Sequence, residues 1–219
     1  MRSAEAVGFL GRPIEDLYGR QVGVVVGFSL KTDGDIESLG VDEGSGSFRE
    51  IASGRLIVYD RALVVVPAWK VELMRTTEQK EVLRKRLLAL DEMGGEAERG
   101  AKARLDQLRT QYRSRLAKLH DSCERLLQDI DSRMDEIAQQ DEAVARFLIE
   151  VKVQFGSGEI DEESFSKVTA KCGSMKTKNT MEFEELSSAR KTLLQDAEPK
   201  GREQKAEVSR PTPRLREKN

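Results

Sequence analysis

Histidine and tryptophan each occur once in this 219-residue chain, and cysteine occurs twice, at Cys123 and Cys172. Two cysteines cannot build a disulfide framework and suit a reducing, cytoplasmic setting. They are also too few for a metal centre, and their spacing is that of small packing residues. His120, the lone histidine, flanks an apolar stripe and reads as a surface residue. No nucleophile motif is present, nor a phosphate-binding loop, nor a GxGxxG following a strand. The sequence therefore gives no reason to expect an enzyme, a cofactor or a small-molecule substrate. No apolar run reaches the roughly 18 residues of a membrane span. The first residues lack the basic-then-apolar order of a signal peptide. Aromatic residues make up only 5%, too few for one globular core of this length.

What is abundant is charge. Asp, Glu, Lys and Arg make up 35% of the chain, yet the net charge is only -2. The whole chain is thus no general binder of polyanions. A composition rich in charge, Leu and Ala is that of long helices and coiled coils.

Three regions follow: 1–70, 71–196 and 197–219. In the first, Gln21 to Leu30 is a Val-rich strand, and Thr32-Asp33-Gly34-Asp35 is a hairpin turn. Ile36 to Val41 is a second strand, and Glu43 to Ser47 reads as a flexible loop. Phe48–Ile51, Arg55–Tyr59 and Ala62–Val66 complete the set. Five or six strands in about 60 residues cover a core best by closing into a small barrel, with Trp69 at its end.

From Trp69 onward the period changes to that of a helix, with a break or hinge near 94–100. A stripe then runs through Leu105, Leu108, Tyr112, Leu116, Leu119, Cys123, Leu126, Ile130, Met134, Ile137, Asp141, Val144, Leu148, Val151 and Phe155, with a mean step of about 3.57 residues. That value lies between a coiled coil and a straight helix. Such a stripe needs a partner surface, so these apolar positions are the expected oligomerisation seam of a homodimer or filament. Asp141 within it is either a solvated position or a register device.

Gly156-Ser157-Gly158 stops the helix, and Asp161 begins another that continues the 3-4 spacing at Phe165, Val168, Cys172, Met175, Leu186, Ala189 and Leu193. Polar Asn179 and Glu182 weaken that seam midway. Charge favours folding back as an antiparallel hairpin. Lys171, Lys176 and Lys178 would face the acidic run Asp135–Glu142, Arg190 and Lys191 would approach Glu124 and Asp129, and Phe165 and Val168 would lie near Leu148 and Val151. The fold class is therefore α+β: a small N-terminal β-barrel, a long coiled-coil helical hairpin and a disordered tail.

Between Arg99 and Lys118 there are seven basic residues and one acid. Arg104, Arg109, Arg113, Arg115 and Lys118 form a candidate patch for DNA or anionic lipid. The alternative is a solvated face paired with acids elsewhere. The tail, rich in Pro and basic residues, has little to bury.

DLYGRQVGVVVGF, the Asp-Gly turn, VVVPAWK, RKRLLALDEM and FGSGEID, taken in order across residues 8–196, resemble the CdvA family of archaeal cell-division proteins. The resemblance implies a PRC-type barrel and a cytoskeletal protein. Such a protein self-assembles at the division site, lies at the membrane there as a peripheral cytoplasmic component, and meets membrane or DNA. It also implies recruitment of the ESCRT-III homologue CdvB by a C-terminal peptide. The corresponding candidates are Val208, Arg210, Pro211, Pro213 and Leu215. Two other readings stay open at this point: a nucleic-acid-binding coiled coil using the basic segment, and an RNA-processing accessory built on the barrel.

Overall fold

The computed structural model describes residues 6–60, 62–93 and 99–197. Its N-terminal part is a six-stranded sheet built from β1 (Pro13–Asp16), β2 (Gln21–Leu30), β3 (Ile36–Gly44), β4 (Ser47–Ala52), β5 (Leu56–Tyr59) and β6 (Ala62–Val65). The order across the sheet is β4-β3-β2-β1-β6-β5. All neighbours are antiparallel except β1 and β6, which run parallel.

This order has a consequence for shape. β4 and β5 are the two edges, yet only Ser53–Arg55 connect them. In a flat sheet, five strand spacings would separate the edges by about 24 Å. The four peptide steps from Ala52 to Leu56 reach at most about 14 Å. The sheet must therefore coil until its edges approach. Among the described residues no ladder joins β4 to β5, and the strands form one coiled six-stranded sheet within an α+β fold. Inside the coil lie Phe9, Ile14, Val25, Ile36, Leu39, Val41, Ile51, Leu63 and Val65, all buried.

Two turns differ from expectation. Glu43–Ser47 is no loose loop: β3 runs on to Gly44, and the two-residue link Ser45-Gly46 returns the chain to Ser47. Both link residues have positive φ, 55° and 78°, the backbone that a tight hairpin needs to match strand twist. At Asp33-Gly34 only Gly34 has positive φ, 84°, and Lys31 N–H donates to the Asp35 carbonyl at 2.8 Å. This is a three-residue turn.

Three helices follow: α1 (Ala68–Met93), α2 (Arg99–Gly156) and α3 (Glu162–Ala197). At about 1.5 Å per residue, the 58 residues of α2 extend for about 87 Å. Gly158, at φ 77°, ends α2. Asp161 opens α3 by accepting the Ser164 N–H at 2.7 Å, and the Ser164 side chain together with that N–H holds its carboxyl below the usual carboxylate range. α2 packs against α1 along its first part and against α3 along the rest. Phe155 and Phe165 stack at 4.4 Å across the second turn. The predicted antiparallel return is thus present, with Phe165 nearer the turn than the expected neighbourhood of Leu148 and Val151. Cys123, Leu126, Ile130 and Ile137 of α2 form one cluster with Leu186, Ala189 and Leu193 of α3. Trp69 packs on that cluster with Leu73. It belongs to the helical core, where the first turn of α1 carries it onto α2, and it also lines a cavity with Val22, Ile51 and Val65 of the sheet.

Candidate functional site: the junction of sheet and helical arm

The turn between β1 and β2 is shaped to project charge. Asp16 Oδ1 accepts the backbone N–H groups of Tyr18 and Arg20 at 2.9 and 2.8 Å. Gly19 takes φ 74°, a conformation that favours glycine. Arg20 is thereby aimed at α3. Its guanidinium meets the Asp16 carboxylate at 3.3 Å, the Glu182 carboxylate, the Lys178 carbonyl at 3.1 Å and Asn179 Oδ1 at 2.9 Å. Lys178 Nζ donates back to the Gly19 carbonyl.

Glu182 is the hub. Its side chain is 4% exposed, and it accepts two further hydrogen bonds from Arg133 of α2, at 3.0 and 2.9 Å. Burial alone would raise the Glu182 pKa, but Arg133 and Arg20 outweigh it and hold the carboxyl below the usual range. Arg133 also donates to Glu136 at 2.8 Å. The hydrogen bond to Glu182 raises its own pKa. Asn179 completes the array: its Oδ1 takes Arg20 and its Nδ2 donates to Asp141 Oδ1 at 2.7 Å. Beside it, the Tyr18 hydroxyl and Lys70 Nζ both reach Glu185 Oε2, at 2.8 and 2.7 Å. Burial and the Glu185 contact raise the Tyr18 pKa, so the phenol stays a neutral donor.

Sheet, α1, α2 and α3 are thus tied together by charge-assisted bonds. Asn179 and Glu182, read from sequence as a weak point in the seam, are 4% and 3% exposed and anchor the sheet. Their signal was visible: a polar residue at a buried helical position needs a partner. The partner, Arg20, lies more than 150 residues away and no periodicity points to it. Lys178 likewise donates to the Gly19 carbonyl, while Arg190 meets Asp131 at 2.6 Å.

The stripe residues occupy the intrachain seam. Leu105, Leu126, Ile130, Ile137 and Val151 are buried, and Leu108, Tyr112, Leu116, Leu119, Met134, Val144 and Leu148 are half-buried. Tyr112 lies under the Arg86 guanidinium of α1, 5.7 Å from its ring centre. The sequence assigned this face both to a second copy and to the returning helix; α1 and α3 fold back onto it. Sequence periodicity reports that a face is covered and cannot say by which chain.

The basic candidates divide. Arg109 is tied to Asp91, Asp106 and the Leu90 carbonyl, and Arg104 to Gln107 at 2.7 Å. Arg113, Arg115 and Lys118 are exposed. Arg115 and Lys118 share one groove with Arg86, and Arg113 shares another with Lys80 and Arg84. Val208, Arg210, Pro211, Pro213 and Leu215 lie outside the described residues. Among the described residues no helix is long and apolar enough to cross a membrane.

A small sheet fixed by ion pairs to the flank of a long helical hairpin defines an architectural protein of the coiled-coil type. The chain belongs to the CdvA-like coiled-coil family, which matches residues 68–213. It is 28% identical over 188 residues to Cell division protein A of Sulfolobus acidocaldarius, covering 86% of this chain and 73% of that protein. No solved structure matches. The kinship supports a role in cell division.

Proposed function

We propose that the chain is a non-enzymatic scaffold of cell division that self-assembles, meets membrane or DNA, and recruits an ESCRT-III homologue of the CdvB type through its tail. The observation that carries this reading is the extent of the family match. It covers the whole helical arm and continues through residue 213, so the segment holding Val208, Arg210, Pro211 and Pro213 is part of what the family shares. Residues 197–219 carry seven basic and four acidic side chains. Pro211 and Pro213 favour an extended form, which lowers the ordering cost of docking in a groove or on a sheet edge.

Assembly would array many tails, and avidity would follow without one tight contact. The stripe positions from Leu105 to Val151 serve assembly by opening from α1 or α3, or by meeting a second arm along their half-buried rims. Arg115 and Lys118, exposed beside Arg86, and Arg113, exposed beside Arg84, favour contact with an anionic surface, either lipid or DNA. A pull-down of the purified ESCRT-III homologue by the full chain and by a chain ending at residue 198 tests the recruitment. Binding only by the full chain is expected, and equal binding by both would place the recruiting surface elsewhere.

A further inference from the structure

The α1–α2 seam is flanked by two grooves whose charges differ. On one flank, Gln79, Val82 and Arg86 of α1 recur at 3-4 spacing beside Arg115, Lys118 and Ser122 of α2, which share that spacing. This groove has a volume of about 390 Å³. Its apolar part is Val82, Leu83 and Leu119, and its charged part is Arg86, Arg115 and Lys118. Among the described residues no carboxylate lines it. The groove on the other flank carries Lys80, Arg84 and Arg113, but Asp121 lies among them.

Two features of the first groove lack a counterpart within the chain. Val82 is 42% exposed, although Leu83 beside it is buried. Arg86, Arg115 and Lys118 are exposed, and among the described residues none of them has a carboxylate partner. Arg86 lies over the Tyr112 ring, which steadies its guanidinium without neutralising it. A nucleic-acid backbone or a lipid headgroup would meet these cations and leave the apolar floor in water. Nucleic-acid bases stack on aromatic faces, and among the described residues no aromatic side chain lines the groove. A helix with one apolar stripe and acidic flanks answers both features. From Arg115 to Ser122 the groove spans two helical turns, about 10 Å. Over that length a docking helix presents anchors at i, i+3 or i+4, and i+7.

We propose that this groove docks an acidic amphipathic helix of a partner protein. The apolar stripe of that helix lies on Val82, Leu83 and Leu119, and its carboxylates meet Arg86, Arg115 and Lys118. It becomes a third helix beside α1 and α2, at interaxial distances of about 8–10 Å. Such a docking site goes beyond the contact with lipid or DNA proposed above, and it does not depend on the tail.

The probe is a labelled peptide of about 21 residues, three heptads with Leu at a and d and Glu at e and g. Its like charges keep it from pairing with itself. Its fluorescence anisotropy should rise saturably with the full chain at about 50 mM salt, where screening is weak. A peptide with Ser in place of Leu, and another with Lys in place of Glu, should bind far more weakly. Arg115→Glu combined with Lys118→Glu should weaken binding about tenfold, since each reversal turns an attraction into a repulsion. Val82→Ser should weaken it about fivefold, the scale of one or two buried methylene groups. Arg113→Glu, on the other flank, should change it less than about twofold. All these side chains are exposed, and circular dichroism checks that each variant is folded. No saturable binding of the Leu–Glu peptide would overturn the proposal. Equal binding of the Ser peptide would also overturn it and return the groove to lipid or DNA. So would an effect of Arg113→Glu equal to that of the Arg115–Lys118 reversal.

Discussion

Arg133 grips Glu182 with two parallel hydrogen bonds, Nε to Oε1 at 3.0 Å and Nη2 to Oε2 at 2.9 Å, across the α2–α3 seam. Arg20 reaches the same carboxylate from the sheet. One buried carboxylate therefore joins three parts of the chain. Glu182→Ala should destabilise the protein by about 3 kcal/mol, because removing one partner of a buried ionic group leaves the others uncompensated. Urea unfolding of the variant measures this. A loss within experimental error of zero would mean that the sheet is held chiefly by apolar contacts.

The same junction sets a pH dependence. Glu182 and Glu185 have pKa values below the ordinary value for a glutamate, each through cations that outweigh burial: Arg133 and Arg20 for the first, Lys70 for the second. A depressed carboxyl contributes stability above its unfolded pKa of about 4.3 and loses it as pH falls through the folded value. Stability from the junction should therefore hold from pH 7 to about pH 5 and erode below about pH 4. The urea midpoint at successive pH values reads the effect. Glu182→Gln should flatten the acid limb; an identical acid limb in the variant would assign the loss to other carboxylates.

The α2–α3 return is open to direct distance measurement. Ala145 and Lys171 lie on opposing helices close to the Phe155–Phe165 turn. Helix axes in contact are about 8–10 Å apart, so spin labels at the two positions should lie within about 20 Å. Tens of ångströms beyond that would mean an extended rod.

The basic residues of the two α1–α2 grooves should bind anionic surfaces in a salt-dependent way. Replacing Arg113, Arg115 and Lys118 with Glu should abolish sedimentation with anionic vesicles or with DNA. Native binding should fall steeply between about 50 and 200 mM salt. Arg104→Glu and Arg109→Glu test less cleanly, since those side chains already have partners on the protein. Binding that ignores both salt and the triple substitution would remove these basic residues from the account.

The features legible in the sequence were those carried by local repetition. β2 lies at Gln21–Leu30 as the Val-rich run requires, and the stripe from Leu105 to Val151 is the covered face of α2. The Gly156–Gly158 break ends α2 as read. The features that escaped depend on distant pairing. β1 is a four-residue strand, too short to show a period; β6 was read as a strand at Ala62–Val66, but nothing local points to its parallel pairing with β1. Asn179 and Glu182 resembled defects until Arg20 was placed beside them. Asp141, open in the sequence between a solvated position and a register device, is half-buried and accepts the Asn179 amide. A polar pair across a helical seam disfavours shifted registers, the use best attested for such groups.

Co-sedimentation of the ESCRT-III homologue with anionic vesicles tests the central claim, that assembled arms present their tails to a partner. Three samples are compared: the homologue alone, with the full chain, and with the chain lacking residues 199–219. The account predicts that the homologue pellets only with the full chain, while the truncated chain itself still pellets and keeps its assembly state. If the homologue pellets equally well with the truncated chain, the tail is not the recruiting element and the account is contradicted.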